Sequence, residues 1–255
     1  MVYRIIQLRG GLLRTAVSGL PQCGDLVDFP AAARYFAAGM DSARKQRKQL
    51  IEVGKRLTKM RMVAGSDGNL SARLENGHIL ITPSGVPLGD LDADDLVMVD
   101  LHGTKLDGDG EPSSELATHL YLYKSRPDIQ AVVHAHPPYA TAFAVAGVEM
   151  EWRSLPEMVV LVGPVALTEY APPGTEAVPK ALEPFFANHD AFLLRNHGLV
   201  TVGRSVMIAW QRHEIVEHAA RILHLSRTLG GPQHIPGSDF ERLENLRNTL
   251  TRERD

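Results

Sequence analysis

Residues 131–136 read Ala-Val-Val-His-Ala-His, and no other segment narrows the possible folds as much. The apolar half lacks the alternation of a surface strand, so it reads as a strand covered on both faces. Such a strand calls for helices on either side of its sheet. The polar half sets His134 and His136 two residues apart, and side chains at i and i+2 leave a strand on one face. Two neutral imidazoles held side by side suit a borderline cation such as zinc.

The flanking segments supply the remaining layers. Leu50, Val53, Leu57 and Met60 recur at helical spacing, predicting a helix capped at Asp41 or Ser42 and stopping at Gly65. Residues 69–74 and 78–82 predict two strands around an Asn76-Gly77 turn. Residues 95–100 and the segment after them predict two more, with Gly108-Asp109-Gly110 between. Helices follow over 114–124, ended by Arg126-Pro127, and over 139–145. Further strands are expected at 163–167 and 191–194, with His197 closing a strand. A helix over 205–229 turns Val206, Trp210, Val216, Ala220 and Leu223 inward, and Ser238-Asp239-Phe240-Glu241 reads as a capping box before a polar terminal helix. The fold class is therefore α/β, a three-layer α/β/α unit with a mainly antiparallel central sheet.

Composition removes several function classes. The 27 Lys+Arg against 30 Asp+Glu leave a net charge of −3, which gives nucleic acid no basic field to meet. The basic residues of the 41–65 helix are then a solvated face. The longest apolar run, 158–167, is broken by Gly163 and Pro164, so no membrane span is expected. One cysteine, Cys23, excludes an internal disulfide and favours a reducing, cytoplasmic setting. Residues 1–24 hold Arg4, Arg9 and Arg14 and no acid; a transit peptide is one reading. The reading adopted is a poorly ordered extension over 1–40, with Met40 as a candidate start, before a single domain over 41–255.

Two pockets of chemistry are legible. His197 lies in Arg195-Asn196-His197-Gly198-Leu199, where Gly198 permits a sharp exit, and Glu115 opens a helix after Ser113-Ser114. With His134 and His136 they make a metal hypothesis. His213-Glu214-Ile215-Val216-Glu217-His218 only imitates a metalloprotease motif: five helical residues turn about 140°, so the rings diverge. His213, His218 and His224 are expected to be exposed or interfacial. Three loops suit an anion: Gly65-Ser66-Asp67-Gly68-Asn69, Thr82-Pro83-Ser84-Gly85 and Pro112-Ser113-Ser114-Glu115. They offer converging amides, hydroxyls and a helix N-terminus.

In that order, Gly-Ser-Asp-Gly-Asn-Leu-Ser, Ile-Thr-Pro-Ser-Gly, Pro-Ser-Ser-Glu, Val-Val-His-Ala-His and Asn-His-Gly-Leu resemble the class II aldolase/adducin family over about 41–230. The resemblance implies an α/β/α subunit in a C4 homotetramer with active sites between neighbours. It implies one zinc per subunit, or another divalent metal, on His134, His136, His197 and Glu115, with Glu115 also the catalytic acid/base. It implies substrate phosphate on Ser66, Gly68, Asn69, Ser84, Gly85, Ser113 and Ser114.

The expected activity is a metal-dependent lyase, an aldolase working on a small phosphorylated sugar or hydroxy-keto acid through a metal-stabilised enediolate. A decarboxylase of the same family would use the same stabilisation, and a non-catalytic adducin-like interaction protein would not need the four ligands. In the family's fuculose-phosphate aldolases two aromatic residues and a C-terminal tyrosine handle the aldehyde half. Here Glu157 and Pro173 stand at the approximate equivalents, and residues 239–255 hold no tyrosine. Tyr170 is the candidate replacement.

Overall fold

The computed structural model describes residues 6–8, 11–13 and 29–252, with side chains over 42–250. It divides into two units, residues 1–38 and 39–255. In the first, β1 (Ile6–Leu8) pairs antiparallel with β2 (Gly11–Leu13). The expected poor order over 1–40 otherwise falls mostly outside the described residues.

Helix α1 (Phe29–Lys59) starts twelve residues before the expected cap at Asp41. Pro30 is suited to the first turn of a helix, and the alanines that follow are the strongest helix formers. The helix also ends earlier than Gly65. Arg61 takes a left-handed φ of 56°, and the Met62 amide donates back to the Leu57 carbonyl at 2.9 Å, closing the last turn.

Eight strands form one sheet: β3 (Asn69–Arg73), β4 (Ile79–Ile81), β5 (Val97–Val99), β6 (Lys105–Asp107), β7 (Ala131–Ala135), β8 (Val165–Leu167), β9 (Ala191–Leu194) and β10 (Gly198–Gly203). Their order is β6-β5-β4-β3-β7-β10-β9-β8, every pair antiparallel except β8 with β9. The mainly antiparallel sheet is as expected. The turn between β5 and β6 is not the glycine pair at 108–110, which follows β6. Asp100 makes the turn earlier, its Oδ1 accepting from the His102 and Thr104 amides at 2.8 Å. Strand β10 was not anticipated at all: both its faces are buried, so it shows no polar alternation.

Strand periodicity sorts the sheet's two faces. Leu70, Ala72, Leu80, Val133, Leu193 and Leu199 pack under α1, α3 (Pro138–Ala146) and α5 (Val206–Arg227). Ile79, Ile81, Val97, Val132, Phe192 and Val200 pack under α2 (Leu116–Ser125) and α4 (Ala177–Leu182). Helix α5 starts at a Ser205 cap whose side chain accepts from the Ile208 amide, and all five of its predicted core residues are buried. Helix α6 (Gly237–Arg252) includes Ser238 within the helix rather than at its cap. No helix of the described residues is long and apolar enough to cross a membrane.

Candidate metal centre

His134 is the fourth residue of β7 and faces the α2 side of the sheet, where it is 2 % exposed. Its Nδ1 lies 3.0 Å from the Leu199 carbonyl on the neighbouring strand, which puts the proton on Nδ1 and leaves the Nε2 lone pair for a cation. His136 follows the strand's end. His197 comes from the turn between β9 and β10. Ligand nitrogens of all three lie within 4.8 Å of one another.

The rings form a near-equilateral propeller, with centroids 4.7, 4.9 and 5.1 Å apart and planes at 66–68°. His134 Nε2 and His197 Nε2 are 3.3 Å apart, close to the roughly 3.3 Å between two nitrogens each about 2.0–2.1 Å from a tetrahedral cation. His136 Nε2 and His197 Nδ1 are buried without a hydrogen-bond partner. A cation would engage the Nε2 of His136, whose Nδ1 lies 3.5 Å from Asp67. The donor set therefore fits a divalent metal.

Local backbone geometry aims these rings. Asn196, at φ 58°, takes the left-handed position that turns the chain between β9 and β10, a conformation asparagine tolerates. Gly198, read from sequence as the flexible exit, has no positive φ. Its contribution is the missing side chain: a Cβ there would sit 2.5 Å from His136 Cδ2 and 2.7 Å from the Ala135 carbonyl oxygen. Gly68 shares that clearance, since a Cβ would meet the His134 carbonyl oxygen at 2.8 Å, and it also takes a left-handed φ of 80°.

Glu115, at the N-cap of α2, reaches into the same cluster. Its Oε2 is 3.1 Å from His134 Nε2 and its Oε1 is 3.4 Å from His197 Nε2. Burial alone would raise its pKa. The neighbouring His134, hydrogen-bonding by Asn69 and the nearby His197 outweigh that and hold the carboxyl well below its usual range. His197 is pushed down to about 4 by burial and by His134 beside it, against the pull of Glu115. His134 goes the other way: burial would lower it, but Glu115 raises it above the usual value.

The three anion loops converge on the start of β3. Thr82 Oγ1 accepts from the Leu70 amide at 3.1 Å, the Ser113 amide donates to the Thr82 carbonyl at 3.1 Å, and the Ser84 amide donates to the Glu111 carbonyl at 2.8 Å. Ser66, Ser84, Gly85 and Ser114 are exposed, Gly68 is half-buried and Ser113 is buried, its hydroxyl accepting from the Glu115 amide at 3.3 Å. Asn69 is buried, and its side-chain amide already serves Glu115, donating from Nδ2 to Oε2 at 2.7 Å. Tyr170 is 58 % exposed, and a Cβ on Gly174, four residues on, would stand 3.4 Å from the Ser114 carbonyl oxygen.

Two residues at this centre escaped the sequence reading. Asp67 sits inside a quoted motif, beside His136. His119 lies one helical turn beyond Glu115, a spacing that could have exposed it. His213 needs correcting: it is fully buried, its Nδ1 3.2 Å from Thr201 Oγ1, and burial depresses it to about 3. His218 and His224 are exposed, as expected. Among the described residues, the only group of three or more His, Cys, Asp or Glu placed to hold a metal is His134, His136 and His197.

A family profile, that of the class II aldolase and adducin N-terminal domain, matches residues 48–224. The chain is 32 % identical over 201 residues to a 5-deoxy-D-ribulose 1-phosphate aldolase of Bacillus thuringiensis serovar kurstaki, covering 78 % of this chain and 93 % of that protein. It is 33 % identical over 192 residues to a 3-oxo-tetronate 4-phosphate decarboxylase of Pectobacterium atrosepticum, covering 74 % and 88 %. Among solved structures, an L-fuculose 1-phosphate aldolase superposes with a TM-score of 0.72 at 31 % identity, covering 79 % of this chain and 95 % of that one.

Proposed function

The chain belongs to the class II aldolase and adducin family, and from that premise we propose that it is a lyase acting on a small phosphorylated hydroxy-ketone. The reading assigns one zinc per subunit to His134, His136 and His197, with Glu115 as a fourth ligand that also moves the proton. The observation that carries it is the imidazole triangle with Glu115 in contact with two of its rings.

Cleaving a carbon–carbon bond beside a ketone leaves an electron pair on carbon, and an enediolate is a high-energy anion in water. A divalent cation at the triangle supplies a Lewis acid that offsets negative charge gathering on the ketone oxygens. In the bond-forming direction the Glu115 carboxylate takes a proton from the carbon. In cleavage it returns one to that carbon, balanced by the proton that the substrate hydroxyl releases as it becomes the aldehyde carbonyl. Its low pKa makes it a carboxylate at rest, ready to accept. Ser66, Gly68, Asn69, Ser84, Gly85, Ser113 and Ser114 lie on the three loops tied together at β3 and orient the phosphate, so binding energy at the far end aligns the reacting bond. The N-terminus of α2 adds its positive end to the same region. A homotetramer with sites completed by a neighbour, in a cytoplasmic setting, belongs to this reading.

The test needs no knowledge of the aldehyde. Zinc-loaded protein incubated with dihydroxyacetone phosphate in D2O is expected to exchange one proton on the carbon bearing the free hydroxyl, and Glu115→Gln to lose that exchange by about a hundredfold or more. The relation to a decarboxylase favours one second reading. Carbon dioxide release from a phosphorylated 3-oxo acid, without exchange of the ketone phosphate, would select it and retire the aldolase.

A further inference from the structure

Helix α2 and strand β3 meet along a polar seam with a regular register. Glu115 at the cap of α2 is followed four and eight residues later by His119 and Tyr123, one stripe of the helix. Asn69 and Ser71, two apart, lie on one face of β3. Asn69, Ser71, His119 and Tyr123 are each 5 % exposed or less.

Hydrogen bonds run the length of this seam. Tyr123 Oη is 2.8 Å from Ser71 Oγ, and Ser71 Oγ is 2.6 Å from His119 Nδ1. His119 Nε2 is 2.6 Å from Asn69 Oδ1, and Asn69 Nδ2 is 2.7 Å from Glu115 Oε2. Donor and acceptor chemistry fixes the direction of each link. An ionised carboxylate only accepts, so the amide nitrogen of Asn69 must face Glu115 and its oxygen must face His119. That oxygen needs a donor, which places the proton on His119 Nε2. The neutral ring then accepts at Nδ1 from Ser71, and Ser71 accepts from Tyr123.

We propose that His119 is a positioning residue: by carrying its proton on Nε2 it locks the flip of Asn69, and Asn69 in turn holds the Glu115 carboxylate in place for proton transfer. The inference rests on the reading of Glu115 as the group that moves the proton. It explains why this buried position carries an amide. An aspartate at 69 would set two carboxylates against each other, and a flipped asparagine would oppose oxygen to oxygen.

Two measurements decide it. The first is 15N NMR of the full-length, zinc-loaded, histidine-labelled protein. His119 is expected to show a protonated Nε2 and a bare Nδ1, and the opposite tautomer would overturn the proposal. The second uses dihydroxyacetone phosphate exchange in D2O with His119→Phe and His119→Gln. The phenylalanine variant is expected to lower the saturated exchange rate by roughly 10–100-fold, with KM within about twofold and zinc retained. Glutamine, which can present an N–H to Asn69, is expected to recover most of the rate. Equal rates in wild type and both variants would remove the positioning role.

If His119→Phe fails to fold, the glutamine variant and the tautomer still decide. Wild type without exchange would sink the functional reading alone, leaving the tautomer to judge the seam.

Discussion

The two ends of the β7–β10 pair both hold clustered ionisable groups, yet they are built on opposite logic. At one end, beside Ala135 and Leu199, the histidine triangle leaves His136 Nε2 and His197 Nδ1 buried without partners. At the other, beyond Ala131 and Gly203, Asp190 receives Arg126 at 3.0 Å and Arg212 at 2.7 Å. Arg126 also grips Asp128 through two nitrogens and donates to the Phe186 and His189 carbonyls. Arg212 donates to the Val202 and Leu161 carbonyls.

A cavity of about 720 Å³ opens at this second end, lined by Arg126, Asp128, Asp190 and Arg212 among others, and none of Glu115, His134, His136 and His197 lines it. The pairs there satisfy one another. What separates the two ends is that the charged groups here answer one another, whereas two ring nitrogens of the triangle have no protein partner.

The sharpest way to break this contrast is to remove a ligand. His197→Ala is expected to weaken zinc binding by more than the roughly 10–100-fold that loss of a supporting residue costs. Without zinc, the variant's thermal unfolding should remain near that of the metal-free wild type. Competitive zinc titration reads the first effect; unchanged affinity would mean that the triangle is structural.

The complementary substitution is Asp190→Ala, which leaves the Arg126 and Arg212 guanidinium groups facing each other with their shared partner gone. Both side chains retain some solvent, so the loss is set at about 2 kcal/mol of stability, below the cost at a fully buried pair. Zinc affinity should be untouched. Denaturant unfolding measures this, and a variant that unfolds normally but loses zinc would erase the distinction between the ends.

A third probe is acid. His119 and His213 are both held at about 3 by burial. Their folded pKa lies below the unfolded value near 6.5, so the unfolded chain binds protons that the folded chain refuses. Stability is therefore complete above pH 6.5 and falls as pH drops from there towards 3. Each ring contributes on the order of 1 kcal/mol per pH unit. The arginines keep their charge throughout, and Asp128, lowered by its bond to Arg126, gives way only below the usual carboxylate range. Stability measured from pH 7 to 5 should show a gentler slope in His213→Phe; an unaltered slope would remove His213 from the account.

The histidine end was far more legible in the sequence than the arginine end. Short motifs named all four candidate ligands: Glu115 and His197 lie at element boundaries marked by serine, asparagine and glycine, and His134 and His136 stand two apart at the end of a core strand. The reason for Gly198 was misread because clearance from a ring 62 positions away, at His136, leaves no local trace. His213 did leave one: with Val206, Trp210, Val216 and Ala220 it falls on a single helical stripe, and all five are buried. The apparent metal motif around it drew the reading away from that periodicity. Strand β10 was missed because burial on both faces suppresses alternation, and the Arg126–Asp190–Arg212 cluster because its members are far apart in the chain.

His134 and His197, whose Nε2 atoms stand 3.3 Å apart, are separated by 63 positions. Any peptide short of the β7–β10 pairing therefore offers a cation only the His134 and His136 pair, and closing so long a loop must come before the third ring can join them. A cation held by all three rings would consequently be a late guest in folding. Its full grip would come only with a finished sheet, so that stripping it is expected to hasten unfolding and to leave the speed of refolding almost as it was.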